Sequence, residues 1–137
     1  EALVRETGVS AAQLQSAIAT ARIELGRREA RYRGERPPEP VAGRVVLIVD
    51  DGIATGAALK AAARALASRG PARIIGAMPV APAGARARLG SAIDDLVCVH
   101  IPMQFYSVGQ FYLDFDQIDD DTVRDLLDRA SGGSENT

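Results

Sequence analysis

The 137-residue sequence contains no tryptophan, one cysteine and one histidine. Cys98 has no partner within the chain, so no intrachain disulfide can form and a reducing compartment is the expected setting. With His100 the sole imidazole, neither a histidine-rich metal site nor a serine–histidine relay made of several pieces is expected. Charge of one sign is also lacking. Sixteen basic residues stand against eighteen acidic ones, a formal net charge of −2, so neither nucleic acid nor a membrane surface is an expected partner. A long apolar run is absent too. The longest stretch without Asp, Glu, Lys or Arg covers residues 96–113, and Pro102, Gln104, Ser107, Gly109 and Gln110 make it a poor membrane span. No basic-then-apolar leader opens the chain, and a cytoplasmic location is expected. Apolar residues at 47% and charged residues at 25% are ordinary for a globular chain, and the length bounds it to one domain or part of one.

The pattern along the chain alternates strands with helices. Residues 10–30 read as a helix: Ser10 and Gln13 have capping-box spacing, and Leu14, Ile18 and Leu25 fall near one face. Arg27, Arg28, Arg31, Arg33 and Arg36, followed by Pro37, Pro38 and Pro40, suggest a mobile cationic segment over residues 27–40. Val45-Val46-Leu47-Ile48-Val49 reads as a strand buried on both faces. A small-residue turn and an Ala-rich helix over residues 57–68 follow, stopped by Gly70-Pro71. Strands are expected at residues 73–78 and 96–101, with a short helix at 85–89 between them. This order predicts an α/β fold with a doubly wound parallel sheet. Val123, Leu126, Leu127 and Ala130 mark a last amphipathic helix with Asp119, Asp120 and Asp121 at its positive end. Residues 131–137 read as a disordered tail.

The informative stretch is Asp50-Asp51-Gly52-Ile53-Ala54-Thr55-Gly56-Ala57-Ala58, directly after the first strand. In open parallel sheets, ligands bind beyond the carboxyl ends of the strands. Two adjacent carboxylates there repel one another, and sugar hydroxyls, a divalent cation or an Arg would offset that cost. The small residues that follow let a backbone approach a ligand, and the free amides at a helix start suit an anion. Thr55 adds a hydroxyl. Acceptors for two hydroxyls beside a cradle for one phosphate are complementary to a ribose 5-phosphate.

At these residues the chain resembles the type I phosphoribosyltransferases, whose signature is four apolar strand residues, two acids and a loop of the form A/T-T-G-x-T/S. Val46 to Val49, Asp50-Asp51 and Ala54-Thr55-Gly56-Ala57-Ala58 fill it, with Ala58 standing where Thr or Ser is usual. The resemblance implies a Rossmann-like core, here expected to lack its N-terminal strands, so that residues 1–137 form a single partial domain. It implies that Asp50 and Asp51 contact the ribose hydroxyls of phosphoribosyl pyrophosphate. It further implies that Gly52, Ile53, Ala54, Thr55, Gly56, Ala57 and Ala58 hold the 5-phosphate and that Mg²⁺ is bridged by the diphosphate rather than bound directly. The family keeps a flexible loop ahead of the signature strand, so Arg31 or Arg33 is a candidate for the diphosphate. The aromatic segment after the third strand is similar to a base-binding region, with Phe105 or Tyr106 as stacking candidates. Ala54 replaces the Asp usual in hypoxanthine–guanine enzymes, and the Lys expected for a 6-oxo group is absent, which points to an adenine or orotate type of loop. Many relatives self-associate, so a homodimer is expected.

Two other readings stand beside the transferase. A non-catalytic module that senses a nucleotide or phosphosugar would use the same loop. A phosphorylation receiver also pairs acids at a strand end, but it needs a phospho-accepting Asp where this chain has His100 and a later Lys, whereas Lys60 comes earlier. His100 and Cys98 are expected to have packing roles.

Overall fold

In the computed structural model, residues 8–132 are described. They form two compact units, one of residues 8–38 with 117–132 and one of residues 39–116.

The first unit pairs two helices, α1 (Ala11–Arg33) and the last helix of the chain (Asp120–Gly132). Ser10 and Gln13 form the reciprocal cap: the Gln13 amide donates to Ser10 Oγ at 3.2 Å and the Ser10 amide to Gln13 Oε1 at 2.9 Å. The helix then runs through Arg33, past the expected residue 30, and stops at Gly34. Arginine is a good helix former, and acids one turn earlier pair with the cations: Glu24 accepts from Arg27 and Arg28, and Glu29 from Arg33. The final helix is opened by Asp119, whose Oδ1 accepts from the Thr122 amide at 2.7 Å. It extends through Gly132, so residues 131 and 132 of the expected tail are helical; the rest of that tail lies outside the described residues.

The second unit is a three-stranded parallel sheet in the order β1 (Val45–Val49), β2 (Arg73–Val80), β3 (Asp95–His100). Helix α2 (Ala57–Ala67) connects β1 to β2, and α3 (Ala85–Leu89) with a 3₁₀ turn at Gly90–Ala92 connects β2 to β3. Val45 pairs with Arg73 and Val49 with Ala77; Met78 pairs with Cys98 and Val80 with His100. The parallel α/β class is the one read from the sequence.

Burial of β1 differs from the expectation. Alternation puts Ile74 and Met78 on the face that packs with Leu59 and Ala63 of α2 and Ala85 and Leu89 of α3, and Ile48, Leu96 and Cys98 join that core partly buried. Within this unit, among the described residues, no helix packs on the opposite face: Leu47 is 61%, Val49 72% and Val99 86% exposed. Strands added in sequence order by crossovers of one hand place both connecting helices on the same side. The apolar run therefore marks a strand covered on one face, not two.

Candidate functional site

The site grows from the end of β1. Past Val49 the chain leaves the sheet with Asp50 and Asp51, both exposed, and the Asp51 amide folds back to donate to Asp50 Oδ1 at 3.0 Å. Gly52 is pressed between two valines: a Cβ there would meet Val108 Cγ1 at 2.8 Å and Val80 Cγ1 at 2.9 Å. Ile53 is buried, and its amide donates to the Val80 carbonyl at the end of β2 at 3.0 Å, which pins the loop to the sheet. Gly56 takes φ +78°, a left-handed conformation that favours glycine, and becomes the N-cap of α2. Thr55 Oγ1 accepts from the Ala57 amide at 3.3 Å, which leaves the hydroxyl hydrogen to donate elsewhere. The first bond of the α2 ladder runs from the Lys60 amide to the Gly56 carbonyl, so the amides of Ala58 and Leu59 precede it.

These residues surround a pocket of about 330 Å³, the size of small-ligand sites. Asp50, Asp51, Gly52, Ile53, Ala54, Thr55, Gly56, Ala57 and Ala58 all line it, so the structure brings the whole predicted loop to one cavity. Its remaining lining is Leu59 and two residues of the segment after β3, Val108 and Phe115.

Phe105 and Tyr106, the residues expected to stack on a base, are not in the pocket lining. Phe105 stacks instead on Phe111, with ring centroids 5.7 Å apart, and Phe111 in turn meets the His100 ring edge-on at 5.6 Å. Tyr106 is 83% exposed. The aromatic wall is Phe115, further along the same segment. Arg31 and Arg33 belong to the helical unit and are engaged there. Arg31 Nη2 donates to Asp121 Oδ1 at 2.7 Å, and Arg33 pairs with Glu29. Beside them Asp120 accepts from the Tyr32 hydroxyl and from Arg27, and those donors, Tyr32 first, hold its carboxyl below the ordinary Asp value.

A parallel α/β sheet whose pocket lies beyond the carboxyl ends of its strands is the architecture of proteins that bind nucleotides and phosphosugars. A phosphoribosyl transferase domain model matches residues 4–116, and the chain belongs to that family. Two curated Mycobacterium tuberculosis proteins are similar to it: "Putative phosphoribosyl transferase Rv0571c" of strain H37Rv and "Putative phosphoribosyl transferase MT0597" of strain CDC 1551. Each is 41% identical over 128 residues, 93% of this chain and 29% of the relative. The chain thus spans under a third of the length of these relatives. Among solved structures, the crystal structure of TT1426 from Thermus thermophilus superposes with a TM-score of 0.73 at 38% identity, covering 87% of this chain and 57% of that one. Among the described residues no helix is long and apolar enough to cross a membrane.

Proposed function

We propose that this domain binds phosphoribosyl pyrophosphate at residues 50–58 and transfers its phosphoribosyl group to the nitrogen of a planar base. One observation carries the reading: the acid pair and the glycine-capped start of α2 face a single pocket. Asp50 and Asp51 offer carboxylate acceptors to the two ribose hydroxyls. The loop amides and the Thr55 hydroxyl donate to the 5-phosphate, and the helix start favours its charge. Val108 and Phe115 supply an apolar wall against which a planar acceptor can lie.

In the reaction the bond from ribose C1 to the diphosphate oxygen breaks, a bond from C1 to the acceptor nitrogen forms, and the nitrogen's proton passes to the departing diphosphate or to water. The ribose carbon becomes cation-like as the diphosphate departs. The work of the site is therefore to hold the ring and the acceptor in line and to keep negative oxygens near the developing charge.

The donor set suits a hard cation. Mg²⁺ commonly takes one or two carboxylates together with substrate phosphates and water. With Asp50 and Asp51 given to the ribose hydroxyls, the ion would be held through the substrate's diphosphate, with the acid pair's negative charge nearby; no cluster of three or more His, Cys, Asp or Glu residues that could hold a metal occurs among the described residues. Bound with the diphosphate, Mg²⁺ would neutralise charge on the leaving group.

Isothermal titration of phosphoribosyl pyrophosphate with Mg²⁺ into the full chain tests the reading. Binding at one site per chain is expected, and the absence of detectable heat with a folded protein rejects it. A turnover assay over a panel of bases then separates a transferase from a sensing module, which would bind without forming product.

A further inference from the structure

Asp51 leaves the sheet before its own carbonyl can join a ladder, since the last register pair of β1 is Val49 with Ala77. The carbonyl is instead held from far along the chain. The Tyr112 hydroxyl donates to it at 2.6 Å, across 61 residues. The Tyr112 ring lies 5.0 Å from that of Phe115, tilted by 39°. Phe115 in turn packs against Gly109, where a Cβ would come within 2.9 Å of Phe115 Cδ1. Tyr112 therefore touches the acid turn with its hydroxyl and the aromatic wall of the pocket with its ring.

We infer that Tyr112 is a positioning residue: its hydroxyl sets the orientation of the Asp50–Asp51 turn, and so the geometry offered to a ribose ring, without itself lining the pocket. The inference rests on the reading of the acid pair as the ribose acceptor. Its physical basis is that an exposed turn with one amide bonded to its neighbour's side chain has few other constraints. A short hydrogen bond from a half-buried, ring-packed phenol removes a rotation that a ligand would otherwise have to freeze. The Ile53 amide fixes the phosphate side of the loop independently, through Val80. Loss of the Tyr112 bond should therefore be felt at the sugar and not at the phosphate.

The test is titration of ribose 5-phosphate and of inorganic phosphate into the full chain and into its Y112F, D51N and Y112F/D51N variants. Y112F keeps the ring on Phe115 and removes only the donor. It is expected to weaken ribose 5-phosphate binding about three- to tenfold and to leave phosphate binding unchanged. Because Tyr112 acts by orienting the acid turn, of which D51N leaves only Asp50 charged, adding Y112F to D51N is expected to cost less than Y112F alone. If wild type binds ribose 5-phosphate and Y112F matches it, weakens both ligands alike, or adds its full effect to D51N, the positioning role is overturned while the site reading survives. If wild type binds phosphate but shows no preference for the sugar phosphate, the acid-pair reading fails and the role of Tyr112 falls with it.

Discussion

Val108 lies against Gly52, so that a Cβ on the glycine would sit 2.8 Å from Val108 Cγ1 and 3.0 Å from Val108 Cγ2. This contact joins the loop after β1 to the segment after β3, and it explains why the turn carries no side chain at that point. Gly52→Ala should destabilise the protein by about 1–3 kcal/mol through overpacking. Val108→Ala in the same chain should recover part of that loss. Urea unfolding of the two single variants and the double variant measures the coupling, and strict additivity would count against a direct clash.

Asp50 and Asp51 are the residues assigned to the sugar, so Asp50→Asn and Asp51→Asn should each weaken ribose 5-phosphate binding. The expected loss is about tenfold or more, the scale of one charge-assisted hydrogen bond. Inorganic phosphate should be held as well as before, or slightly better once a repelling charge is gone. Equal weakening of both ligands would contradict the division of roles between the acids and the loop.

Gly56 combines a φ of +78° with a Cβ position 3.1 Å from Leu89 Cδ2. Gly56→Ala therefore meets backbone strain of about 1–2 kcal/mol and a crowded neighbour. Both lower stability, and the shifted start of α2 should also weaken phosphate binding. Thermal unfolding followed by phosphate titration checks both effects. Unchanged phosphate affinity would show that the helix start does not contact the anion.

The helical unit should respond to acid. Hydrogen bonds from Arg27 and Arg28, aided by their charge, lower the Glu24 pKa to about 2 from an ordinary 4.5. A folded-state value below the unfolded one means that the stability from this group is fully present above about pH 4.5 and is lost as pH falls toward 2. Asp120, lowered by Tyr32 and Arg27, acts in the same direction. Helicity monitored by circular dichroism should fall through this range, and Glu24→Gln should flatten the profile. A variant as acid-sensitive as wild type would mean that the pair contributes nothing.

How much of this is legible in the sequence follows from the range of the forces involved. Ser10 and Gln13 can be read as a cap because both bonds span three residues. The loop at residues 50–58 can be read because the groups assigned to the ligand are contiguous. The one-sided cover of Leu47 and Val49 cannot, since an apolar run does not say on which side the crossover helices will land. Arg27 and Arg31 resemble a linker because their acidic partners include Asp120 and Asp121, about ninety residues away. Phe115 does not stand out from Phe105 and Tyr106 because all three lie in one aromatic stretch. Only the fold shows that Phe111 occupies Phe105 while Phe115 reaches the pocket. Gly52 carries the one available hint, as a residue that tolerates a neighbour arriving from afar.

The uncovered side of the sheet has a calorimetric consequence. Within this chain, Leu47, Val49, Val97 and Val99 keep more than half their surface exposed. Hydrating aliphatic carbon raises heat capacity, and here part of that hydration is present before unfolding begins. The increment on melting should therefore fall below the roughly 12–15 cal/mol/K per residue usual for globular chains. A flatter stability curve would follow, with cold and heat acting on this chain more gently than its size alone implies. Differential scanning calorimetry at several pH values would give the increment directly.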